Sequence, residues 1–201
     1  MATAAVSPLA NPVPAPPRRP RVLLFGSAMG AAASALAILS LLGIYLQVRA
    51  DEIAAGNPVL PKDVVLPLTP GQMNLVTLGM SVVTMAWVVY AMRNDDRAHA
   101  YVGLGVTLLL GIASIVETAY LYQQLALSPT SGPVAGLIYA ITGAHILMTV
   151  VGMLFIAVMG FQALGGQLTG RDAEGMSAAA LYWYVTYAVY LVIWYAIYIT
   201  K

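Results

Sequence analysis

The chain has 201 residues, 60% of them hydrophobic and 8% charged, with a formal net charge of +1. Soluble domains carry about half apolar and a quarter charged residues, so this composition excludes an ordinary water-soluble core, and the small charge excludes a basic surface for nucleic acid. There is no cysteine and there are two histidines, which excludes disulfides, thiolate metal sites and c-type haem attachment and makes bis-histidine haem or a copper–histidine cluster hard to build from this chain.

Residues 1–21, beginning MATAAVSPLANPVPAPPRRP, are rich in Pro and Ala without apolar periodicity and are expected to form a disordered or polyproline-like tail on the cytoplasmic side. Arg18, Arg19 and Arg21 come directly before an apolar run too long for the core of a cleavable signal. That run, about Val22 to Val48, is the first predicted span. Uncharged runs of about 20 residues match a helix crossing a bilayer core of about 30 Å. On this span Gly26, Gly30 and Ser34 recur every fourth residue, flanked by Ala31 and Ala35. Small residues at this spacing let helix backbones approach closely, which matters in lipid, where packing replaces the hydrophobic drive between helices. The face is therefore expected to meet another helix.

A loop with Pro58, Pro61, Pro67 and Pro70 separates the first span from the second, about Gln72 to Met92. RNDDR then leads to the third span, about Ala98 to Leu125. SPTSGP leads to the fourth, about Val134 to Leu164, and GGQLTGRDAEG to the fifth, about Ser177 to Thr200. The fold class expected is thus all-α, an integral membrane bundle of five transmembrane helices over residues 22–201. Arg18, Arg19, Arg21, Arg93, Arg97 and Arg171 fall on one side and Arg49, Lys62 and Lys201 on the other. Because Lys and Arg are retained on the cytoplasmic side, the N-terminus is expected inside and the C-terminus outside.

Glu117 in the third span and His145 in the fourth are the ionisable groups well inside spans, where a charge costs about 3 kcal/mol or more. At about 1.5 Å per residue both come out at similar depth in the outer half, so they are expected to interact directly or through one water. A Glu and a His serve proton or cation pathways. A structural pair fixing helix register is the other reading, and it is favoured because only Thr118, Thr142 and Thr149 lie near them as further polar groups. In the fifth span Trp183, Tyr187, Tyr190 and Trp194 recur at helical spacing, a stripe expected to pack on neighbouring helices or long lipid tails.

The fourth span and its approach, SGPVAGLIYAITGAHILMTVVG, resemble a helix of haem–copper oxidase subunit III, the cytochrome c oxidase subunit III family. The residues that carry this are Gly132, Gly136, Tyr139, Thr142, Gly143, His145, Leu147 and Gly152. GIYLQVRA resembles the family's ending of an earlier helix through Tyr45, Arg49 and Ala50. Leu109, Leu110 and Gly111, with Ala119 and Tyr122, resemble another, and Tyr182 and Trp183 open the last helix as the family's Tyr-Trp does. The departures fall on polar positions: Ser34 and Leu121 each stand where a glutamate is expected, Met148 replaces a histidine, and Tyr184 and Tyr187 replace a His and an Asp. Glu117, one turn before Leu121, could restore a carboxylate on that face.

The resemblance implies a divergent five-helix bacterial form: an accessory subunit, without catalytic residues of its own, in a terminal oxidase of aerobic respiration. It would bind the haem-bearing subunit I, assemble with subunit II, retain phospholipid in a cleft and support proton uptake. Haem and copper would sit in the partners, none in this chain, and the location would be a bacterial inner membrane. A companion of a quinol oxidase or nitric oxide reductase would use the same helices. A small proton-coupled transporter, with Glu117 and His145 as relay, is a reading from a different class, although no inverted repeat or pair of interrupted helices supports it.

Overall fold

The computed structural model describes residues 21–61, 64, 66–125, 127–168 and 173–199. The expected tail over residues 1–20, and Lys62, Arg171 and Lys201 of the orientation argument, lie outside the described residues. The elements are α1 (Val22–Ala54), α2 (Leu68–Arg93), α3 (Arg97–Gln124), α4 (Pro133–Leu164) and α5 (Glu174–Trp194), which runs on into a π-helical turn, Tyr195–Ile199. All five are long and apolar enough to cross a membrane, and the chain is a multi-pass membrane protein.

α1, α2 and α5 outrun the apolar stretches that announce them. α1 has 33 residues, about 50 Å at 1.5 Å each, against a hydrocarbon core of about 30 Å. Its last turns therefore carry Arg49, Asp51 and Glu52 beyond the apolar region. α2 begins at Leu68 with Pro70 in its first turn, where the missing N–H would have no intrahelical partner. Pro133 likewise stands at the start of α4. Asp95 takes a left-handed φ of 57° in the tight turn between α2 and α3. Asp96 then caps α3, accepting from His99 N at 3.3 Å and lying 2.6 Å from His99 Nδ1. The hydrogen bond from the His99 backbone holds the exposed Asp96 carboxyl below its ordinary range. α1 has no side-chain cap of its own; Glu174, at the start of α5, supplies one by accepting from Leu24 N at 3.1 Å.

α5 is the hub: it packs on α1, α2 and α4, while α1, α4, α3 and α2 follow one another around it. The bundle is apolar outside and partly polar within. Phe25, Leu36, Tyr90, Leu147 and Phe161 are exposed, whereas Asn74, Ser81, Thr107, Ser114, Thr118, Thr149 and Thr186 are buried. That arrangement suits lipid, which needs no polar outer face and makes interhelical hydrogen bonds useful. At the centre Trp183 is 1% exposed and donates from Nε1 to Ser81 Oγ at 2.9 Å. A methyl at Gly152 would lie 2.9 Å from the Trp183 ring and one at Gly111 3.1 Å from it. One indole of α5 is thus seated between two glycines of α3 and α4 and tied to α2.

Candidate functional site

A set of polar groups of the spans lies toward the end of the bundle where α2 begins and α3 ends, starting between these two helices. Asn74 Nδ2 donates to Thr118 Oγ1 at 3.0 Å, Ser114 Oγ donates to Asn74 Oδ1 at 2.6 Å, and Thr118 Oγ1 donates to Ser114 O at 2.9 Å. The buried amide of Asn74 therefore has partners for both ends, and leaving one unmade would cost about 1–3 kcal/mol. One turn along α2, Thr77 Oγ1 donates to Glu117 Oε1 at 2.8 Å. Glu117 Oε2 is buried and has no hydrogen-bond partner among the described residues.

His145, 4% exposed on α4, donates from Nε2 to the backbone oxygen of Thr186 on α5 at 3.1 Å. Its ring lies 5.1 Å from that of Tyr190, whose hydroxyl donates to Gly71 O at 3.0 Å. Thr142 and Tyr122 share a hydrogen bond of 2.6 Å between α4 and α3. The direct form of the expected Glu117–His145 contact is corrected here. Glu117 turns to Thr77 on α2 and His145 to Thr186 on α5, because each finds a hydroxyl or carbonyl on the helix packed beside it. The two residues do line one cavity, with Asn74, Thr118, Tyr190 and Tyr198. It offers about 10 Å³ to the centre of a water molecule.

Glu117 also forms the floor of an open groove of about 520 Å³ on the outer face of α2, with Thr69, Gln72, Met73, Val76 and Thr77. A second open groove, about 160 Å³ and apolar, runs between α3 and α4 along Leu104, Leu108, Ile156, Gly160 and Phe161. Tyr101 at its rim donates to Ala163 O at 3.1 Å.

On α1 the three small residues separate. Gly26 and Gly30 face outward, with nothing within 4 Å of an added Cβ. Ser34 turns toward α5, half-buried, with Oγ 3.0 Å from Gly30 O and 3.4 Å from Tyr182 Oη. Each four-residue step rotates about 40° around a helix, so the outward stripe continues through Ala33 and Ala37, both exposed. Tyr45 and Tyr182 are buried in the core shared by α1, α4 and α5. Arg49 is half-buried near the C-terminal end of α1, and Gly143 is half-buried with open space beside it. Trp183, Tyr187, Tyr190 and Trp194 turn inward, as expected for packing. Gly79 lies against the Tyr187 hydroxyl, 3.2 Å from where a Cβ would stand.

Haem and copper do not fit this donor set. His145 has its Nε2 committed to Thr186 O, and no group of three His, Cys, Asp or Glu among the described residues could hold a metal. Sequence reasoning missed Asn74 and Thr77. A lone Asn in an apolar run was the available signal for the first, since an amide there demands partners. Glu174 as the cap of α1 had no local signal, for the two are distant in sequence.

A family model described as Cytochrome c oxidase subunit III matches residues 48–201, which takes in α2 to α5 and the end of α1. A probable cytochrome c oxidase subunit 3 of Rickettsia conorii is 31% identical over 128 residues, 63% of this chain and 45% of the relative. Cytochrome c oxidase subunit 3 of Bos taurus is 28% identical over 132 residues, 66% and 51% of the two chains. That of Spodoptera frugiperda is 26% identical over 141 residues, 69% and 96%. Against the first two of these the match spans about half the relative's length.

Proposed function

We propose that this chain, which belongs to the cytochrome c oxidase subunit III family, is a cofactor-free accessory subunit of a respiratory terminal oxidase in a bacterial inner membrane. The observation that carries the reading is the family match across α2 to α5. The polar interior gives it a physical form. Hydroxyls, an amide, a carboxylate and an imidazole are turned into hydrogen bonds between helices, which fixes the bundle and leaves redox chemistry to partners. Those partners are oxidase subunit I, which holds haem and copper, and subunit II.

The exposed stripe Gly26, Gly30, Ala33 and Ala37 on α1 is the proposed contact with subunit I, because backbones can close on it without displacing a side chain. Ser34 supports that face from within by holding α1 to α5. The apolar groove between α3 and α4 suits a phospholipid acyl chain, the subunit supports proton uptake by the oxidase, and Glu117 and His145 serve mainly to fix the register of the helices. The N-terminus is cytoplasmic and the C-terminus outside, since Arg93 and Arg97 flank the tight turn between α2 and α3.

Purification of the tagged chain in mild detergent tests this reading. A haem-bearing complex with oxidase bands in its visible spectrum is expected, and Gly30→Leu should lower the fraction of chain retained in it. A colourless homo-oligomer would overturn the assignment, and full retention of Gly30→Leu would move the contact off α1.

A further inference from the structure

The small cavity enclosed by α2, α3, α4 and α5 has a hydrogen-bonding character that its lining dictates. Tyr190 gives its O–H to Gly71 O, Thr118 its O–H to Ser114 O, and His145 its Nε2–H to Thr186 O. What these groups retain is acceptor capacity: the Tyr190 and Thr118 oxygens and, on the neutral ring, His145 Nδ1. Glu117, another wall of the cavity, adds a buried Oε2 with no partner among the described residues. Asn74 Nδ2 and the Tyr198 hydroxyl are the donors the lining adds, so an occupant must donate to several acceptors and be able to accept as well. The room of about 10 Å³ is that of about one water, which needs two to four polar partners. An anion or a carbonyl-bearing ligand would meet mostly lone pairs, an organic amine is too large, and water both donates and accepts.

We infer that this cavity binds one water molecule, which donates to Glu117 Oε2 and to His145 Nδ1 and so joins the two ionisable residues of the spans. The water closes a circuit that runs from Thr77 on α2 through Glu117 on α3 to His145 on α4 and Thr186 on α5. Four helices are thereby locked in register at one depth. A retained buried carboxylate also has a reason under this arrangement, since its second oxygen is satisfied by solvent that the bundle encloses. The π-helical turn at the end of α5 takes part, because it sets Tyr198 over Gly71, with the ring 2.8 Å from where a Cβ would lie, and closes the outer side.

The test is a density map of the full chain in its native complex at a level that shows ordered water, recorded in potassium and again after exchange into rubidium. The expected result is one peak within hydrogen-bonding distance of Glu117 and His145, without rubidium's anomalous signal. It should persist in Glu117→Gln, whose amide oxygen still accepts from Thr77 and whose N–H can donate to the water's oxygen, and vanish in Glu117→Leu. No peak, a peak touching neither residue, a peak that becomes anomalous in rubidium, or one unchanged in Glu117→Leu would each overturn the inference. If Glu117→Leu fails to assemble, infrared difference spectra of wild type minus Glu117→Gln decide. An O–H stretch that shifts in heavy-oxygen water is expected, and its absence would contradict the bound water.

Discussion

Gly152 and Trp183 show how much of this fold rests on single side chains. A methyl at Gly152 would stand 2.9 Å from the indole, and the indole cannot retreat because its Nε1 is bonded to Ser81 and Gly111 closes the other side. Gly152→Val should therefore lower the stability of the solubilised protein by about 1–3 kcal/mol, the usual cost of overpacking, read as a fall in Tm. Trp183→Phe should cost less at the hydrogen bond, about 1 kcal/mol, plus the loss of packed area. Both residues were legible in the sequence as family positions. Their reason was not, because it lies in an approach of three helices that no local spacing records. At the surface Asp96 offers a pH test with a definite sign. Its folded-state pKa is lowered, first by the hydrogen bond from His99 N, so its capping of α3 is fully present above the ordinary carboxylate range and is lost as pH falls through the folded value. Hydrogen exchange at the first turn of α3 should accelerate on that acidification in the wild type, and much less so in Asp96→Asn.

Among the elements, α2 to α5 form a polar-lined unit, while α1 is held by its seam with α5 and α4 and leaves its small-residue stripe exposed. The hydrogen bond from Thr77 to Glu117 joins α2 to α3 directly. Glu117→Gln keeps an oxygen able to accept from Thr77, whereas Glu117→Leu removes it. The leucine variant should be the less stable of the two by about 1–3 kcal/mol, measured by thermal unfolding of the purified complex. Equal stabilities would show that the bond contributes nothing. The five spans were readable from apolar runs and Pro/Gly punctuation, and α1, α2 and α5 exceed them because a membrane helix continues through charged residues once past the hydrocarbon. The partners of Glu117 and His145 were not readable. Similar depth on the two helices joined by the SPTSGP loop does not decide the partner, because α2 and α5 pack beside them and offer Thr77 and a backbone carbonyl. The small-residue triplet was only partly readable, because the slow rotation of an i, i+4 series carries Ser34 off the face that Gly26 opens.

As a whole molecule the chain keeps its polar chemistry inside, leaves an apolar belt to lipid and exposes a stripe on α1 where another helix can close. Its membership of the subunit III family accords with the proposed role of an accessory subunit that acts through its partners. The most direct test separates the chain from its complex with detergent, then measures haem, copper and oxygen consumption in both fractions before and after recombination. All haem and copper should stay with the partner subunits. The depleted complex should begin turnover near the original rate, lose it faster, and regain its endurance when the chain is returned. Haem or copper leaving with this chain, or an initial rate abolished by its removal, would contradict the account.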